Sequence, residues 1–232
     1  MERIIPNEKE SLVLKYIVKR AKKFFVFDDK PNKDFWKDAE TLELKHYMGQ
    51  KPEHSPKTQA KLLYDNEFVY VNFHIEDRFI RAIRTDYNSS VCLDSCVEFF
   101  FTPCDDISTG YFNIEINCIG TMLFNYQLNR DGKKIAISID DAKQIELYSS
   151  LNDVINTEIK EPVKWRVEYR VPISILEKYA RVNKPAPGVT WRANFYKCAD
   201  ETSHPHWLTW APVGMPKPDF HRPEFFGILE FQ

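Results

Sequence analysis

Apolar and polar positions alternate with a period of two along most of the chain, and this pattern predicts β-strands. Eleven segments show the alternation or form short apolar runs, and turn-forming pairs such as Asp131-Gly132 separate them. The predicted strands are 59–64, 68–76, 79–84, 96–101, 111–119, 122–127, 135–139, 145–151, 164–171, 191–197 and 226–231. Many short strands at regular spacing predict an all-β fold, an antiparallel β-sandwich of immunoglobulin-like or jelly-roll-like architecture.

Two segments have a helical pattern instead. One is the stretch 11–23, and the other is a short helix at 173–179, which follows Pro172. We find no repeat, low-complexity tract or clear linker, so we expect residues 1–232 to form a single domain. Within it, a helical extension over 1–23 would precede a sandwich from about residue 24 to 231.

The two faces of several predicted strands differ in chemistry. One face is apolar, whereas the other carries amides, carboxylates and aromatic rings, among them Glu98, Glu115, Asn117, Asn194 and Tyr196. A solvated outer sheet face is the alternative explanation, but such faces are usually rich in Lys, Glu and Thr. Amides and carboxylates pair with hydroxyls and aromatic rings stack on pyranose rings, so the pattern favours a sugar ligand.

Composition excludes several classes of protein. The chain has a net charge of −2, which argues against a dedicated nucleic-acid binder. Aromatic residues make up 14% of the chain and only 7 residues are Gly, which fits a β-rich domain better than a glycine-loop nucleotide binder. No GxxxxGK[ST], GxGxxG, GxSxG or HExxH motif occurs.

The cysteines and the N-terminal sequence indicate in which cellular compartment the protein is expected. The 5 cysteines form no CxxC pair, so we expect reduced, mostly buried thiols. The first 25 residues lack the pattern of a secretory signal, and no stretch approaches the roughly 20 apolar residues of a membrane span. We therefore expect a cytoplasmic protein without a membrane partner, or a secreted one from which a signal has been removed.

The densest group of chemically interesting residues lies near the C-terminus. In an extended segment Trp207 and Trp210 point to opposite sides, so one can pack in the core while the other is displayed; both in the core is the alternative. His204, His206 and His221 have no carboxylate at a metal-ligand spacing, so we expect structural or sugar-contacting imidazoles and assign no metal ligand.

Several segments, taken in order, resemble the carbohydrate-binding module family 9-like domains, in particular those found as stand-alone proteins. The resemblance covers roughly residues 24–231 and is strongest over 94–101 and 194–227. The segments that carry it are 62–65 with 68–73, 93–100, 111–120, 165–168 with 171–172, and 226–229.

The resemblance implies a sandwich of two antiparallel sheets, related to domains that bind sugars or haem. In members attached to xylanases, two Trp clamp the sugar, with amides, carboxylates and an Arg around it, and Ca²⁺ is structural. Glu98 lies in the matching Val-Glu-Phe strand, and Asn194 with Trp207 or Trp210 lies near the second Trp. At the first Trp the chain offers only Trp36, which lies early and which we expect in the core.

We therefore expect a non-catalytic protein of polysaccharide metabolism whose partner is a carbohydrate. Hydroxyl-bonding, stacking and imidazole groups form the predicted site: Arg84, Glu98, Glu115, Asn117, Asn194, Tyr196, His206, Trp207 and Trp210. The only cofactor implied is structural Ca²⁺. Two alternatives stay open: a glycoside hydrolase that uses Glu98 and Glu115, and a haem-binding sandwich with Met122, Met215 or a His as axial ligand.

Overall fold

Strands make up most of the regular structure in the residues that the computed structural model describes, which are 13–23, 25 and 33–232. Two α-helices interrupt them, α1 (Ile139–Ala142) and α2 (Ile173–Tyr179). The strands are β1 (Lys15–Arg20), β2 (Leu42–Glu43), β3 (His46–Tyr47), β4 (Lys57–Tyr64), β5 (Phe68–Asp77), β6 (Ile80–Ala82), β7 (Cys96–Thr102), β8 (Tyr111–Asn117), β9 (Met122–Gln127), β10 (Lys134–Ala136), β11 (Glu146–Ser149), β12 (Ile155–Ile159), β13 (Val163–Pro172), β14 (Thr190–Cys198), β15 (Trp207–Thr209) and β16 (Gly227–Phe231).

The strands form the two sheets of a β-sandwich, which confirms the predicted fold class. The first sheet has the order β10-β9-β8-β7-β14-β16, and β15 with β3 extends it beside β14. The second sheet has the order β4-β5-β13-β11, with β2 beside β4. Strand β1 belongs to both sheets, because its first half runs parallel to β16 and its second half runs parallel to β4. Strands β6 and β12 form a separate antiparallel pair.

Stacked aromatic rings fill the space between the sheets. Phe99 stacks on Phe101 at 4.5 Å and on Phe195 at 4.7 Å between ring centroids, and all three are fully buried on the inner face of the first sheet. Phe195 also meets Phe73 of the second sheet at 6.0 Å. These rings belong to the apolar face predicted from the alternation, so the inner faces hold the fold together by apolar burial.

The predicted N-terminal helix is wrong over the part of it that the structure describes as regular. Residues 15–20 form strand β1, in which Tyr16 and Val18 are buried in the core. A lone helix would leave these side chains without a partner, whereas β1 fills the gap between β16 and β4 and bonds to both. Tertiary pairing therefore overrides the local pattern. Residues 1–12 lie outside the described residues.

Most of the other predicted elements match the structure, but the predicted strand 79–84 is shorter, and the predicted strand 135–139 is replaced by β10 at 134–136 and by α1, which begins at Ile139. Strand β9 and helix α2 have the predicted bounds, and β4, β5, β7, β13 and β14 differ by one or two residues at their ends. The pattern missed β2, β3, β12 and β15, which have two to five residues each. Such short strands carry too few alternations to be recognised without their partners.

Gly227 opens β16 and allows Trp210 to pack against the backbone. A Cβ at this position would lie 2.5 Å from Trp210 Cζ3 and 2.8 Å from the carbonyl oxygen of Leu14. Neither neighbour can move away easily, because Trp210 is in the core and Leu14 O accepts the amide of Ile228 at 2.8 Å. Only a residue without a Cβ therefore allows Trp210 to approach the backbone this closely.

Candidate functional site

The polar face of the first sheet points away from the core. Glu98 on β7 lies directly opposite Glu115 on β8 and, on its other side, opposite Tyr196 on β14. Only 2% of Glu98 and 5% of Glu115 is exposed. The cause is the chain between β15 and β16, residues 210–226, which we call the C-terminal segment and which folds over this face. Together with this face it forms a second apolar cluster, which includes Phe220 and Phe226. The sequence therefore folds two adjacent carboxyl groups into a covered position.

A cavity of about 200 Å³ opens above this carboxyl pair, and we name it the acidic cavity. Four acids line it against one arginine. Its lining residues are Cys92, Glu98, Glu115, Arg130, Cys198, Asp200, Trp207, Pro218, Asp219, Phe220 and His221. Three of the nine predicted site residues, Glu98, Glu115 and Trp207, therefore come together in one place.

Burial sets the protonation of the acidic cavity. Burial and then the charge of Glu115 raise the pKa of Glu98 well above its usual range. Burial also raises the pKa of Glu115, although the Asn113 amide that donates to its carboxylate at 2.8 Å opposes the shift. Two adjacent carboxyl groups with raised pKa values retain a proton near neutral pH, so the pair can both donate a hydrogen bond and accept one.

Trp207 forms a wall of the acidic cavity and is half-buried. Its indole N–H donates to Asp200 Oδ1 at 2.8 Å, which fixes the ring. Burial raises the pKa of Asp200 to about 6 in spite of this hydrogen bond. Trp207 and Pro218 also line a groove of about 530 Å³ beside the loops at 49–53 and 203–205. The ring therefore stands between the acidic cavity and a second space that is open to solvent.

Two predicted stacking residues are buried instead, which corrects the prediction. Tyr196 is fully buried, its ring stacks on Phe220 at 4.1 Å, and its hydroxyl donates to the Phe220 carbonyl at 3.1 Å. Trp210 is only 6% exposed and packs edge-on against Phe195 at 5.8 Å. Neither ring is available to a ligand, because the C-terminal segment and the core use both of their faces.

The predicted amides have structural partners and do not line the acidic cavity. Asn194 donates to the Ala211 carbonyl at 3.0 Å and accepts the Ala211 amide at 2.8 Å, which ties the C-terminal segment to β14. Asn117 donates to Asp94 Oδ2 and to the Arg84 carbonyl, both at 2.9 Å. Their side of the strand is as predicted, but nearby backbone groups use their hydrogen-bonding capacity.

Arg84 and His206 also lie outside the acidic cavity. The Arg84 guanidinium bonds Asp94 at 2.8 Å and Glu201 at 2.7 Å. His206 is buried, with Nε2 2.8 Å from Lys197 Nζ and Nδ1 2.9 Å from the His204 carbonyl. Burial and then the Lys197 charge lower the pKa of His206 to about 3, so the imidazole is neutral and accepts from Lys197.

Arg130, Asp200 and Asp219 of the acidic cavity escaped the sequence analysis, which named His221 as a structural or sugar-contacting imidazole. Asp219 and His221 lie in the C-terminal segment that the analysis singled out, so their neighbourhood was the available signal. Arg130 comes from the β9–β10 turn and bonds Asp219 at 3.0 Å, and Asp200 follows β14. Nothing in the local pattern of Arg130 or Asp200 indicates a site, because only the fold brings their loops to Glu98.

The implied Ca²⁺ does not fit the donors that the structure groups together. Within the described ranges, one group of three potential ligands has its donor atoms within 4.8 Å of one another, formed by Cys96, Glu98 and Cys198. Two of these donors are thiols, whereas Ca²⁺ takes six to eight oxygen ligands. Burial also raises the pKa of both thiols. We therefore assign no role to Ca²⁺ here.

Comparison of the fold with solved structures identifies similar molecules. A protein from Bacteroides uniformis ATCC 8492, described as carbohydrate-binding, is 25% identical, with a TM-score of 0.82 over 94% of this chain and 99% of that one. A carbohydrate binding module of family 9 from Caldicellulosiruptor kristjanssonii, solved with glucose and with cellotriose, is 15% identical, with a TM-score of 0.60. Those matches cover 94% of this chain and 96% and 94% of the module.

Comparison of the sequence with family models agrees with the sequence analysis, whereas no curated protein matches the chain. No helix in the described residues is long and apolar enough to cross a membrane. The sequence model of carbohydrate-binding family 9 matches residues 37–231. That match spans most of the chain and both sheets, and the chain therefore belongs to carbohydrate-binding family 9.

Proposed function

We propose that this family 9 protein binds a neutral sugar in the acidic cavity without chemical turnover. Glu98 and Glu115 hold the sugar hydroxyls, and Trp207 stacks on the ring. The observation that carries the proposal is the buried carboxyl pair beneath a half-exposed, anchored indole. The complexes of the C. kristjanssonii module with glucose and cellotriose support glucose-based sugars as the ligand class.

The protonation of the carboxyl pair suits hydroxyl recognition. A hydroxyl both donates and accepts, so it pairs best with a site that offers both functions. A carboxyl group that keeps its proton supplies a donor, and the remaining carboxyl oxygens of Glu98 and Glu115 supply acceptors. Such hydrogen bonds specify which hydroxyls are present, while the indole of Trp207 contributes apolar contact.

The size of the acidic cavity limits how much of a saccharide it holds. Its volume of about 200 Å³ is small for a ligand site, so we expect one terminal sugar unit inside it. Further units would pass Trp207 into the neighbouring groove. Few contacts and a single stacking ring give weak binding, with Kd values in the micromolar to millimolar range.

Isothermal titration calorimetry with glucose and cellotriose tests the proposal. Trp207→Ala should weaken binding of both sugars at least tenfold while circular dichroism stays unchanged, because the ring is half-buried and outside the main core. Tyr47→Ala is the matched control, since Tyr47 is 45% exposed and lines neither the acidic cavity nor the groove. Unchanged sugar binding in Trp207→Ala would remove the acidic cavity as the site.

The same protein distinguishes the two alternative functions. Release of reducing sugar from an oligosaccharide by the native chain, lost in Glu98→Gln, would replace the binding module by a hydrolase. Glu98 and Glu115 lie side by side on neighbouring strands of one sheet, so a sugar would lie above both carboxyl groups.

A Soret band after haem addition would favour the haem alternative. Of the two Met residues considered as axial ligands, Met122 packs in the main core and Met215 packs beside the second apolar cluster.

A further inference from the structure

The outer face of the second sheet, on the far side of the sandwich, carries a cavity of about 490 Å³, which we name the basic cavity. Its volume is typical of small-molecule sites. Four cations and a single acid are among its lining residues, namely Lys33, Lys61, Lys164, Arg166 and Glu168. Glu76 does not line the basic cavity but pairs with Lys164 at 3.0 Å. Even when Glu76 is counted with Glu168, the cations outnumber the acids.

The centre of the basic cavity is a fixed arrangement of side chains. Arg166 is 7% exposed, its Nε lies 3.6 Å from Glu168 Oε1, and its guanidinium lies 4.7 Å from the centre of the Tyr148 ring. Glu168 accepts a hydrogen bond from Asn72 Nδ2. These side chains stand on the paired strands β5, β11 and β13, and Ser150, which follows β11, lies beside them. The floor of the cavity is therefore part of a hydrogen-bonded sheet.

Three buried nitrogen atoms of residues that line the basic cavity lack a hydrogen-bond acceptor. Trp36 Nε1, Trp165 Nε1 and Arg166 Nε have no hydrogen-bond partner among the described residues, since Glu168 Oε1 at 3.6 Å is beyond hydrogen-bond distance from Arg166 Nε. Leaving a buried N–H unsatisfied is costly, so such groups usually have a ligand, ion or water as partner. All three groups are donors, and so are the three lysine ammonium groups. A matching ligand therefore brings acceptor oxygens and negative charge.

Uncharged groups in the basic cavity fit a sugar ring. Tyr148 supplies aromatic surface, and Gln59 and Asn72 on neighbouring strands supply amide oxygens, since their amide nitrogens donate to Glu43 and Glu168. Amides pair with hydroxyls, and aromatic surface pairs with the apolar face of a pyranose. We propose that the basic cavity binds a hexose that carries an anionic group, a uronate carboxylate or a sugar phosphate, independently of the acidic cavity.

Calorimetry at low salt tests this second site with D-glucuronate, D-glucose 6-phosphate, D-glucose and inorganic phosphate as probes. The test variant is Lys33→Glu/Lys164→Glu, because both lysines are exposed and their loss should not disturb folding. Lys45→Glu/Lys217→Glu is the matched control, with the same change in charge at exposed residues outside the cavity. We expect the test variant to bind the anionic sugar at least tenfold more weakly and the control to bind it normally.

The two anionic probes separate the two sources of charge. Binding of glucuronate alone identifies a carboxylate site, binding of glucose 6-phosphate alone identifies a phosphate site, and either result supports the proposal. Trp207→Ala should retain this binding even where it loses glucose. The proposal is overturned if neither anionic sugar binds at about 10 mM, if inorganic phosphate binds as tightly as both, or if the test variant binds as the native chain does.

Discussion

The two outer faces of this sandwich have opposite chemistry on one scaffold. The acidic cavity of the first sheet is small and covered by the chain's own C-terminal segment, and acids dominate its wall. The basic cavity of the second sheet is about twice as large, and lysines dominate its wall. Inner faces pack against each other, so most of their side chains are apolar, the buried Lys197–Asp77 pair being an exception. Outer faces have no such restriction and can take different ligands.

The two cavities differ in the burial of their charged side chains as well as in the sign of the charge. The acids of the first cavity, Glu98 and Glu115, are buried and have raised pKa values, whereas Lys33 and Lys164 at the second are exposed to solvent. Ligand binding in the acidic cavity should therefore respond to pH. Binding in the basic cavity should respond to ionic strength, because salt screens exposed charges.

A buried ion pair joins the two sheets, and breaking it should have the largest effect. Lys197 on β14 lies 3.4 Å from Asp77 on β5, and both side chains are fully buried. Burial opposes ionisation of Asp77, but Lys197 and His54 hold the pKa of Asp77 below its usual range. Lys197→Met leaves this carboxylate without its cation, so the free energy of unfolding in urea should fall by about 3–5 kcal/mol.

The exposed pair Lys164–Glu76 provides the matched control for that variant. Its atoms are 3.0 Å apart, but both side chains are open to solvent, so Lys164→Met should change the free energy of unfolding by less than about 1 kcal/mol. Equal losses in Lys197→Met and Lys164→Met would show that the buried pair does not join the sheets energetically. If Lys197→Met unfolds the chain, Lys197→Met/Asp77→Asn should recover part of the stability, because no charge is then left unpaired.

The acidic cavity should impose a pH dependence on stability, with an intermediate effect. The pKa of Glu98 is raised on folding, so the unfolded chain ionises first and the free energy of unfolding falls as pH rises above the usual Glu range. Glu98→Gln removes that loss, and the oxygen of its amide can still accept from Cys198. Each unit of pKa shift corresponds to about 1.4 kcal/mol.

Urea unfolding at pH 5 and pH 8 measures this effect. We expect Glu98→Gln to be more stable than the native chain at pH 8 and closer to it at pH 5, while sugar binding weakens. A variant that loses stability equally at both values would contradict the protonation assigned to Glu98. Glu76→Gln is the control, because Lys164 and then Lys57 hold the pKa of Glu76 below its usual range. This carboxyl group is therefore ionised at both pH values, and its loss should leave the pH profile unchanged.

The alternation of the strands was enough to predict the sandwich but only part of the site. Alternation identifies which side of a strand a residue lies on, and Glu98, Glu115, Asn194 and Tyr196 are all on the predicted side. It carries no information on what lies above that side. The C-terminal segment covers Tyr196 and bonds Asn194, and it leaves space only above Glu98 and Glu115.

Long-range pairing explains the remaining errors. Strand β1 contacts β16 and β4, which are far away in sequence, so a local pattern of seven or eight residues could not indicate a strand there. Asp200 and Arg130 reach the acidic cavity from loops whose sequences resemble any solvated turn. The sequence analysis predicts no site at the basic cavity for the same reason, because the pairing of β5 with β13 that brings Asn72 to Glu168 is also long-range.

The smallest effect should come from the ion pair at the mouth of the acidic cavity. Asp219 accepts a hydrogen bond from Arg130 Nε at 3.0 Å and forms an ion pair with Arg222 at 2.8 Å, and the side chain of Arg130 is half exposed. Asp219→Asn keeps the shape but removes the charge, so stability should fall by less than about 1 kcal/mol and the Kd for glucose should change less than about threefold. Both changes should shrink at high salt, and binding of an anionic sugar in the basic cavity should not change. A tenfold loss of glucose affinity in Asp219→Asn, measured by calorimetry, would instead place Asp219 among the groups that touch the sugar, and recognition would then extend from the buried carboxyl pair to the rim of the cavity.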